Sequence, residues 1–574
     1  MDKVYVPGMG PRGAKIMILG ECPTSRDTLH QKPFTDSREL DILLKDAGIV
    51  KANCWLSNVF KYDIGTSESK IKIPGWVRAN NSGLNVEESL TQLQNEINDL
   101  QPNLIIGLGG TALWALTGIK PKGKKKDEKF NLANLPRGGI SDYRGSILHG
   151  MGRKIICTYN PAHLSWQATD VEFIGYYNRQ VILADLRRAR RQSEFPDLRL
   201  PIRTIEICRS GADLRRFIDQ YRNKSAVAVD IEAGGHYLPA AIGFAFTRNH
   251  AMVASFWNVN EFKSITDQEM IQIWLMVQEI LHEKEVIGQN FNYDRDKIRR
   301  IGFAVRKVRS DIMLKCHAIN PELPKSLAFN TSIYTEEPFY KNEGMYEGSF
   351  QDLLIGCGRD CCVTKEIDEI TEGELAEINQ TKYFYNFMMK WPDLYLRMEN
   401  TGFKIDYDRR DELMRKYVEW NERLQYELFQ LTGEMINANS PKQVSRLLFE
   451  TLQCPKRNGT SEEELTSLLN LQSFTDETKR KIVELILEKR RVSKTISTYL
   501  MALPDYDGRM KTTYFPCLDT GRSKTGQQDP PIRPQIEIVD ENGKRKKKSM
   551  GCAFQTITKH GDIGADIRSM YVPG

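Results

Sequence analysis

The sequence predicts a multidomain α/β chain whose C-terminal third is mainly helical. Short apolar strands alternate with helical stretches over residues 1–192, as in "AKIMILG", "NLIIGLG" and "KIICTY", which is typical of α/β layer folds. The proline-punctuated stretch "RQSEFPDLRLPIRT" marks a joint, and we place a linker at 193–204. Strands and helices alternate again over 205–375, and the pattern becomes helical over 376–574. A chain of 574 residues is too long for one core, so three to four domains of ordinary size are expected.

The composition is that of a soluble globular protein, with 40% apolar and 27% charged residues. No apolar run reaches the ~20 residues that a membrane helix needs, and the N-terminal residues lack the order of a secretory signal peptide. We therefore expect a cytoplasmic protein with no membrane partner. The 11 cysteines are scattered without a Cys-x-x-Cys pair, which favours reduced thiols over disulfides or a zinc site. The net charge of +6 permits a polyanionic partner without requiring one.

Two carboxylates end a predicted strand in the middle block, "KSAVAVDIEAGG". Residues two apart in a strand share a face, so Asp230 and Glu232 project together. Asp294 follows in "VIGQNFNYDRDKI", near the start of a predicted helix, and Asp360 lies on a later helix in "GCGRDCCVTKEI". Side-by-side buried carboxylates need a compensating cation. The four acids therefore predict a ring of oxygen ligands for Mg²⁺ or Mn²⁺, two of which can hold an attacking water and a leaving phosphate oxygen in line.

The order of these motifs resembles the 3′–5′ proofreading exonucleases of the DnaQ-like superfamily, over about residues 205–375. The resemblance implies a ribonuclease H-like fold in which Asp230, Glu232, Asp294 and Asp360 are the catalytic residues and bind two metal ions. It implies that Asn290, in Asn-x-x-Tyr-Asp, helps to order the second motif beside DNA. Asp311 resembles the intervening Asp-containing helix of the family, with an ordinary helix cap as the alternative. The family usually has a Tyr four residues before the last Asp, where this chain has Gly356, so we expect a reduced hydrolysis rate.

Six segments of the C-terminal block resemble, in order, the first half of family-A DNA polymerases, closest to those of large tailed phages. They are "LYLRMENTGFKIDYDRRDEL", "NANSPKQVSRLLFETL", "EKRRVSKTISTYLMALP", "DGRMKTTYFPCLDTGRSKT", "FQTITKHG" and "IRSMYVPG". The resemblance implies a mainly helical thumb and part of the palm, bound to primer-template DNA. Contacts to phosphates need positive charge and hydrogen-bond donors. The candidate DNA-binding residues are Arg490, Arg491, Lys494, Thr520, Arg522 and Gln555.

The resemblance also implies that the elements carrying the polymerase active site, the later palm strands and the fingers helix, would follow Gly574. We therefore expect no polymerase activity, a nucleotidyltransferase reaction, from this chain alone. A truncated product and one half of a split polymerase, completed by a C-terminal subunit carrying palm and fingers, both stay open. "DENGKRKKKS", in an insertion before "FQTITKHG", predicts a hairpin tip or flexible loop.

The N-terminal block resembles the uracil-DNA glycosylase superfamily through "IMILGECPTSRDTLHQKPF", "WLSNVFKY", "LQPNLIIGLGGTALWALTG" and "IICTYNPAHL". The resemblance implies an αβα layer domain with a pocket for a base flipped out of the stack. Phe34 would be the stacking ring and Asn58 the reader of the base edge, and Glu21 lies in the water-activating motif. Asn160 stands where the family usually has His. This block holds three cysteines, so we expect none of the iron–sulfur clusters that many relatives bind with four.

The sequence thus predicts a DNA replication protein whose reaction is metal-dependent hydrolysis at the 3′ end of single-stranded or primer DNA. If the gene belongs to a phage, the compartment is the bacterial host cytoplasm. One alternative is a non-catalytic DNA-binding scaffold that completes a split polymerase. The other is a repair enzyme that excises uracil.

Overall fold

The protein was analysed as a computed structural model in which two compact units are distinguished, Met1–Met389 and Lys390–Gly574. The structure describes residues 3–65, 73–119, 139–162, 164, 172–233, 238–256, 265–341, 349–505, 507–517, 523–526, 536–539, 545–548, 550–559 and 561–572. The first unit contains two separate sheets and the second contains most of the long C-terminal helices. The predicted mixed α/β, multidomain character is confirmed.

The first sheet has five strands in the order β2-β1-β3-β5-β4. They are β1 (Ile16–Gly20), β2 (Trp55–Asn58), β3 (Leu104–Leu108), β4 (Ile147–Gly150) and β5 (Arg153–Thr158). All neighbours pair in parallel except β4, which is antiparallel to β5. The carboxyl ends of the four parallel strands therefore lie along one edge, where open α/β sheets usually bind their ligands.

Helices cover both faces of this sheet, and two apolar clusters fill the space between them. They are α1 (Ser25–His30), α2 (Arg38–Asp46), α3 (Gly75–Asn81), α4 (Val86–Leu100), α5 (Gly110–Thr117), α6 (Ile140–Tyr143) and α7 (Glu172–Gln192). This arrangement is the αβα layering that the strand and helix alternation predicts. The buried ion pair between Arg144 and Asp185 ties the loop after α6 to α7, with Nη2 to Oδ1 at 2.7 Å.

The second sheet has six strands in the order β11-β10-β7-β8-β9-β6. They are β6 (Thr204–Ile207), β7 (Ala226–Glu232), β8 (Ala241–Thr247), β9 (His250–Ser255), β10 (Glu285–Gly288) and β11 (Lys307–Asp311). Strands β7, β8 and β9 form an antiparallel meander, whereas β10 and β11 run parallel to β7. The alternation predicted for β7 is present, since Val227 and Val229 lie in one apolar cluster and Ala226 and Ala228 in another.

Seven helices complete this part of the first unit among the described residues. They are α8 (Gly211–Gln220), α9 (Asp267–Glu283), α10 (Asn292–Arg300), α11 (Ile312–Ile319), α12 (Leu327–Tyr334), α13 (Phe350–Glu377) and α14 (Thr381–Asn386). Helix α13 lies directly against the sheet because glycines allow close approach. A Cβ on Gly243 of β8 would meet the sulfur of Cys361 at 2.7 Å, and one on Gly358 would meet Ile205 at 2.5 Å.

The second unit is built on helices α15 (Trp391–Thr401), α16 (Tyr407–Thr432), α17 (Pro441–Ser445), α18 (Glu462–Leu469), α19 (Glu477–Lys494) and α20 (Asp562–Ser569). Ser440 caps α17 by accepting from the amide of Gln443, and Pro441 occupies the first helical position. Helices α16 and α19 share one apolar core that includes Tyr417 and Ile486. π-helical turns, Arg446–Thr451 and Thr495–Leu500, follow α17 and α19.

Three small antiparallel sheets accompany these helices. Their strands are β12 (Phe403–Ile405), β13 (Arg509–Met510), β14 (Thr513–Phe515), β15 (Lys524–Gly526), β16 (Ile536–Val539), β17 (Arg545–Lys548) and β18 (Tyr571–Val572). Strand β12 lies between β13 and β18, so the first and last parts of this unit meet in one sheet. Strands β16 and β17 pair antiparallel with each other, whereas residues 540–544 of the stretch "DENGKRKKKS", expected to form a hairpin tip or flexible loop, lie outside the described residues.

No helix within the described ranges has both the length and the apolarity required to cross a membrane.

Alanine substitutions at two glycines of α13 separate packing from helix propensity. A Cβ at Gly373 meets nothing within 4 Å, whereas one at Gly358 clashes with Ile205. Gly373→Ala is expected to stabilise the unit by about 0.5–1 kcal/mol, and Gly358→Ala to destabilise it by about 1–3 kcal/mol through overpacking. Denaturant unfolding followed by far-ultraviolet circular dichroism measures both midpoints. A Gly358→Ala midpoint at or above that of Gly373→Ala would show that α13 does not pack so closely on the sheet.

Candidate nuclease site and DNA-contacting residues

The carboxylates of Asp230, Glu232 and Asp360 converge at the carboxyl end of β7. One oxygen from each lies within 4.8 Å of the others. Asp230 and Glu232 share a face of the strand, and Asp360 comes from α13, which crosses that face. Three acids far apart in the sequence therefore form one oxygen cluster, as the motif order predicts.

Asp294 adjoins this cluster and is held by the strand itself. Its Oδ1 accepts a hydrogen bond from the backbone amide of Ile231 at 3.1 Å, between the two strand acids. It lies in the first turn of α10 and is buried. Asp294 therefore joins helix and strand next to the cluster, and the oxygen distances leave it outside the tight group of three.

Asp311 fixes the turn that precedes Asp294. Its carboxylate accepts from the amides of Asn290 at 3.0 Å, Phe291 at 2.9 Å and Met313 at 2.9 Å. Asn290 has a φ of +52°, a left-handed conformation that asparagine tolerates better than most residues. Asp311 is thus both the N-cap of α11 and an anchor for the motif containing Asn290. The side chain of Asn290 is exposed.

Both oxygens of Asp360 are engaged by neighbours that the sequence analysis did not single out. The buried Tyr340 hydroxyl donates to Oδ1, and Lys341 Nζ lies 2.5 Å from Oδ2. Lys341 therefore supplies a positive charge at the edge of the acid cluster. Tyr340 and Lys341 lie in the loop stretch "EEPFYK", which has no periodic pattern. The sequence signal for these two residues was therefore an aromatic and a basic residue side by side after a proline.

Burial and mutual repulsion raise the pKa values of the two strand acids and of Asp294. The pKa of Asp230 is raised well above its usual range by burial and then by Asp360 and Asp294. Burial and Asp360 raise the pKa of Glu232 to about 7, against a lowering effect of Lys341. Burial also raises the pKa of Asp294. Each ionised carboxylate is disfavoured by its surroundings, which is the condition that a bound cation relieves.

This donor set fits a hard divalent cation. Carboxylate oxygens are the ligands that Mg²⁺ and Mn²⁺ prefer, and the three converge within the spacing that a shared ion requires. Gly356, at the position where the related family has Tyr, is buried inside α13. A tyrosine hydroxyl from outside α13, that of Tyr340, donates to Asp360.

A second group of predicted residues meets at the carboxyl edge of the first sheet. A Cβ added to Gly20 would lie 2.4 Å from Oδ1 of Asn58 and 2.9 Å from the ring of Phe34. The last residue of β1 is therefore flanked by the amide and the aromatic ring. Phe34 has a φ of +57°, a strained conformation for a bulky residue that is typical of functional positions.

Glu21 follows β1 and is tied down by two neighbours. The Arg78 guanidinium donates to Oε1 and the Thr111 hydroxyl donates to Oε2. Asn160 lies after β5, with its Oδ1 accepting from the amide of Ala162 at 3.1 Å. Glu21 and Asn160 both lie at the edge formed by the carboxyl ends of the parallel strands, and their side-chain oxygens both accept hydrogen bonds. His163, three residues after Asn160, falls outside the described residues.

The candidate phosphate contacts of α19 divide into two kinds. Arg490 is partly buried, and its guanidinium donates to the carbonyls of Ala438 at 2.6 Å and of Thr460. These bonds favour a structural role for Arg490. Arg491 and Lys494 are exposed and remain candidates for contact with phosphates.

Gln555 is joined to the strand that follows the Thr-Gly-Arg element. Its Oε1 accepts from the amide of Thr525 at 2.8 Å, and its own amide donates to Thr525 Oγ1 at 3.0 Å. Gln555 is thus a neighbour of Thr525 in the fold. Thr520 and Arg522 lie outside the described residues.

Comparisons with known families match the two ends of the chain. Residues 7–187 match the model of the uracil DNA glycosylase superfamily, and residues 408–563 match that of DNA polymerase family A. The chain therefore contains a glycosylase-like domain and a family-A polymerase-like region.

Among curated proteins, the relatives are bacterial DNA polymerases I. The protein from Caldicellulosiruptor bescii is 32% identical over 180 residues, 30% of this chain and 21% of that protein. The protein from Borreliella burgdorferi is 24% identical over 275 residues, 46% of this chain and 30% of the relative. The one from Bacillus subtilis is 27% identical over 267 residues, 44% and 30% of the two chains. The chain thus spans about a fifth to a third of the length of these relatives.

A solved structure described as the POL domain of Pol1 from M. smegmatis in complex with DNA primer-template and dNTP covers 64% of this chain and 59% of its own. The identity is 16% and the TM-score 0.47.

The raised pKa values predict that metal-free protein loses stability as the pH rises. The folded state keeps a proton on Glu232 up to pH about 7, whereas the unfolded state releases it near pH ~4.3. Between these values the folded state binds more protons, so the free energy of unfolding falls with rising pH. For Glu232 the loss is on the order of 3 kcal/mol, and Asp230 and Asp294 act in the same direction.

Denaturant midpoints in a chelator, measured from pH 5 to pH 8, test this. Glu232→Gln should flatten the slope, and millimolar Mg²⁺ should restore stability at the higher pH. A midpoint in chelator that stays level or rises over this range would contradict the electrostatic account.

Proposed function

We propose that the chain is part of a family-A DNA polymerase whose central domain, residues 205–375, is a 3′–5′ exonuclease with two Mg²⁺ or Mn²⁺ ions. The observation that carries this proposal is the convergence of Asp230, Glu232 and Asp360 within 4.8 Å. The relatives named DNA polymerase I support a setting in DNA replication or repair.

The topology of the central sheet supports a ribonuclease H-like assignment. A three-stranded meander of β7, β8 and β9 is extended by two strands parallel to β7, and β7 carries two of the acids at its end. Asp294 and Asp360 then come from helices that pack beside that strand. This placement brings acids from three separated sequence motifs to one site, two of them from β7.

The residues of the chain divide the work in this proposal. Asp230, Glu232 and Asp360 would bind the ions, and Asp294 holds the carboxyl end of β7 through the amide of Ile231. Asp311 fixes the backbone of the motif containing Asn290. When bound, the ions would activate water and neutralise charge on the phosphodiester.

The C-terminal unit is proposed to bind primer-template DNA. Exposed cations on α19, Arg491 and Lys494, suit phosphate contacts that do not read sequence. A partner subunit that carries a polymerase centre, a phage origin and residence in a bacterial host cytoplasm are further parts of this proposal. They rest on sequence resemblance.

Asp230→Asn is expected to lower the hydrolysis rate of 3′-labelled single-stranded DNA in Mg²⁺ by at least about a hundredfold, or ~2.7 kcal/mol of transition-state stabilisation. The amide removes an anionic ligand and keeps the side-chain shape. Single-turnover product gels measure the rate. Glu369→Gln, at an exposed position on α13, is the charge-matched control and should hydrolyse DNA at the wild-type rate. Equal rates in all three proteins, or none in wild type, would refute the exonuclease.

A second proposed function is recognition of an extrahelical base by the glycosylase-like domain without its excision. The flanking of Gly20 by Phe34 and Asn58 favours a pocket that stacks a ring and reads its edge. Glu21 is neutralised by Arg78, and Asn160 cannot supply the proton that a protonated His would. These features support binding and oppose cleavage of the glycosidic bond.

Phe34→Ala is expected to weaken binding of uracil-containing single-stranded DNA about tenfold, because stacking of one base on an aromatic ring contributes ~1–3 kcal/mol. Fluorescence anisotropy in chelator, which suppresses hydrolysis, measures the affinity. Leu29→Ala, at an exposed apolar position on α1, is the control and should bind as wild type does. Unchanged affinity for Phe34→Ala would contradict the pocket, and release of free uracil would contradict the absence of excision.

A further inference from the structure

Residues 335–341, which we name the connecting segment, join the glycosylase-like domain to the acid cluster. The segment follows α12 and ends at Tyr340 and Lys341, whose side chains hold the two oxygens of Asp360. The residues of the segment that precede Tyr340 contact groups outside the acid cluster. The segment that carries Tyr340 and Lys341 to the cluster is therefore held in place by those outside contacts.

The glycosylase-like domain contacts two residues of the segment, Glu336 and Phe339. Glu336 accepts from Gln192 Nε2 at 3.0 Å and pairs with Arg191 at 3.3 Å, both at the end of α7. The amide of Phe339 donates to Ser146 Oγ at 3.0 Å. The Phe339 ring packs edge-on against Tyr143, with ring centroids 5.0 Å apart.

The linker and α13 supply the remaining anchors. Arg203, in the predicted linker, donates to Glu337 at 2.6 Å and also to Glu366 of α13 at 2.6 Å. The guanidinium of Arg359 lies 5.1 Å from the centre of the Tyr340 ring. Tyr340 is thus held from two sides. Its neighbour Phe339 is bound to the glycosylase-like domain, and Arg359 of α13 lies over its ring.

We infer that Tyr340 is a positioning residue of the nuclease site and that the glycosylase-like domain sets its position through Ser146 and Phe339. This inference rests on the proposed exonuclease function. A hydroxyl on Oδ1 and an ammonium group on Oδ2 hold the Asp360 carboxylate in one orientation, with an oxygen within 4.8 Å of those of Asp230 and Glu232. Outer partners of this kind orient a metal ligand, and their loss typically costs about 10–100-fold in metal affinity or activity.

This role would compensate for the tyrosine that α13 lacks at Gly356. Gly356 is buried within α13 and has no side chain that could contact Asp360. The connecting segment brings a tyrosine hydroxyl to the same carboxylate from outside the helix. The nuclease site then depends on a neighbouring domain for its geometry.

Tyr340→Phe tests the inference because it removes only the hydroxyl and keeps the buried ring. The full-length chain should bind Mn²⁺ about tenfold more weakly by isothermal titration calorimetry. At saturating Mn²⁺, kcat for 3′-end hydrolysis should fall while KM for DNA stays constant, since Tyr340 contacts a ligand and not DNA. Tyr385→Phe, which removes a hydroxyl bonded to Glu372 on the same helix at 2.5 Å, is the matched control and should leave Mn²⁺ binding unchanged.

Ser146→Ala tests the interdomain part without touching the site. It should weaken Mn²⁺ binding about threefold in the wild-type background and have no further effect in the Tyr340→Phe background, because Ser146 acts through Tyr340. Equal effects of Ser146→Ala in both backgrounds would overturn the coupling. Tyr340→Phe with Mn²⁺ affinity and kcat within about twofold of wild type would overturn the positioning role.

The outcomes separate this inference from the exonuclease proposal. If wild type binds Mn²⁺ and hydrolyses DNA, Asp230→Asn does neither, and Tyr340→Phe equals wild type, only the positioning role falls. If wild type neither binds Mn²⁺ nor hydrolyses DNA, both proposals fall. Ser146→Ala, which lies outside the acid cluster, gives the answer independently should Tyr340→Phe not fold.

Discussion

Repulsion among buried carboxylates is the constraint on which the central domain depends. Asp230, Glu232 and Asp360 place three oxygens within 4.8 Å of one another, and burial removes the water that would otherwise screen them. The carboxylates of such a cluster are stabilised when they hold protons, contact a cationic side chain of the same chain, or bind a metal ion. The chain uses the first two, with raised pKa values on the strand acids and Lys341 beside Asp360. The third would release those protons, and it is the chemistry on which the proposed exonuclease depends.

The acid cluster takes its supporting groups from outside α13. Glycines at the contact between α13 and the sheet allow the helix to lie close to the strands, and α13 places Asp360 beside the strand acids. Tyr340 and Lys341 reach Asp360 from the connecting segment, whose anchors include Ser146 of the glycosylase-like domain. The glycosylase-like domain, which has a candidate pocket of its own, thereby also helps to position a residue at the acid cluster.

In the C-terminal unit, the same basic residue types have different roles according to burial. Arg490 satisfies two backbone carbonyls and so joins α19 to two loops, whereas Arg491, next in sequence, is exposed. An arginine buried against carbonyls cannot reach a phosphate without leaving those acceptors unpaired, which is costly. The number of basic residues on a helix is thus larger than the number of candidate phosphate contacts. The direction of each side chain decides which of these residues remain candidates.

The sequence alone determined the alternation of strands and helices, the faces of β7 and the order of the acid motifs, because these depend on periodicities of two and 3.6 residues that neighbours in the chain impose. Composition and motif order also sufficed to identify the two end regions that match known families. The tertiary structure decided which acids converge, and it set Asp294 beside the group of three. It alone brought Tyr340 to Asp360 and Ser146 to Phe339, since these contacts join residues separated by 20 and 193 positions. No local pattern encodes such contacts: they arise when packed helices and sheets fix the distances between segments that the sequence leaves independent.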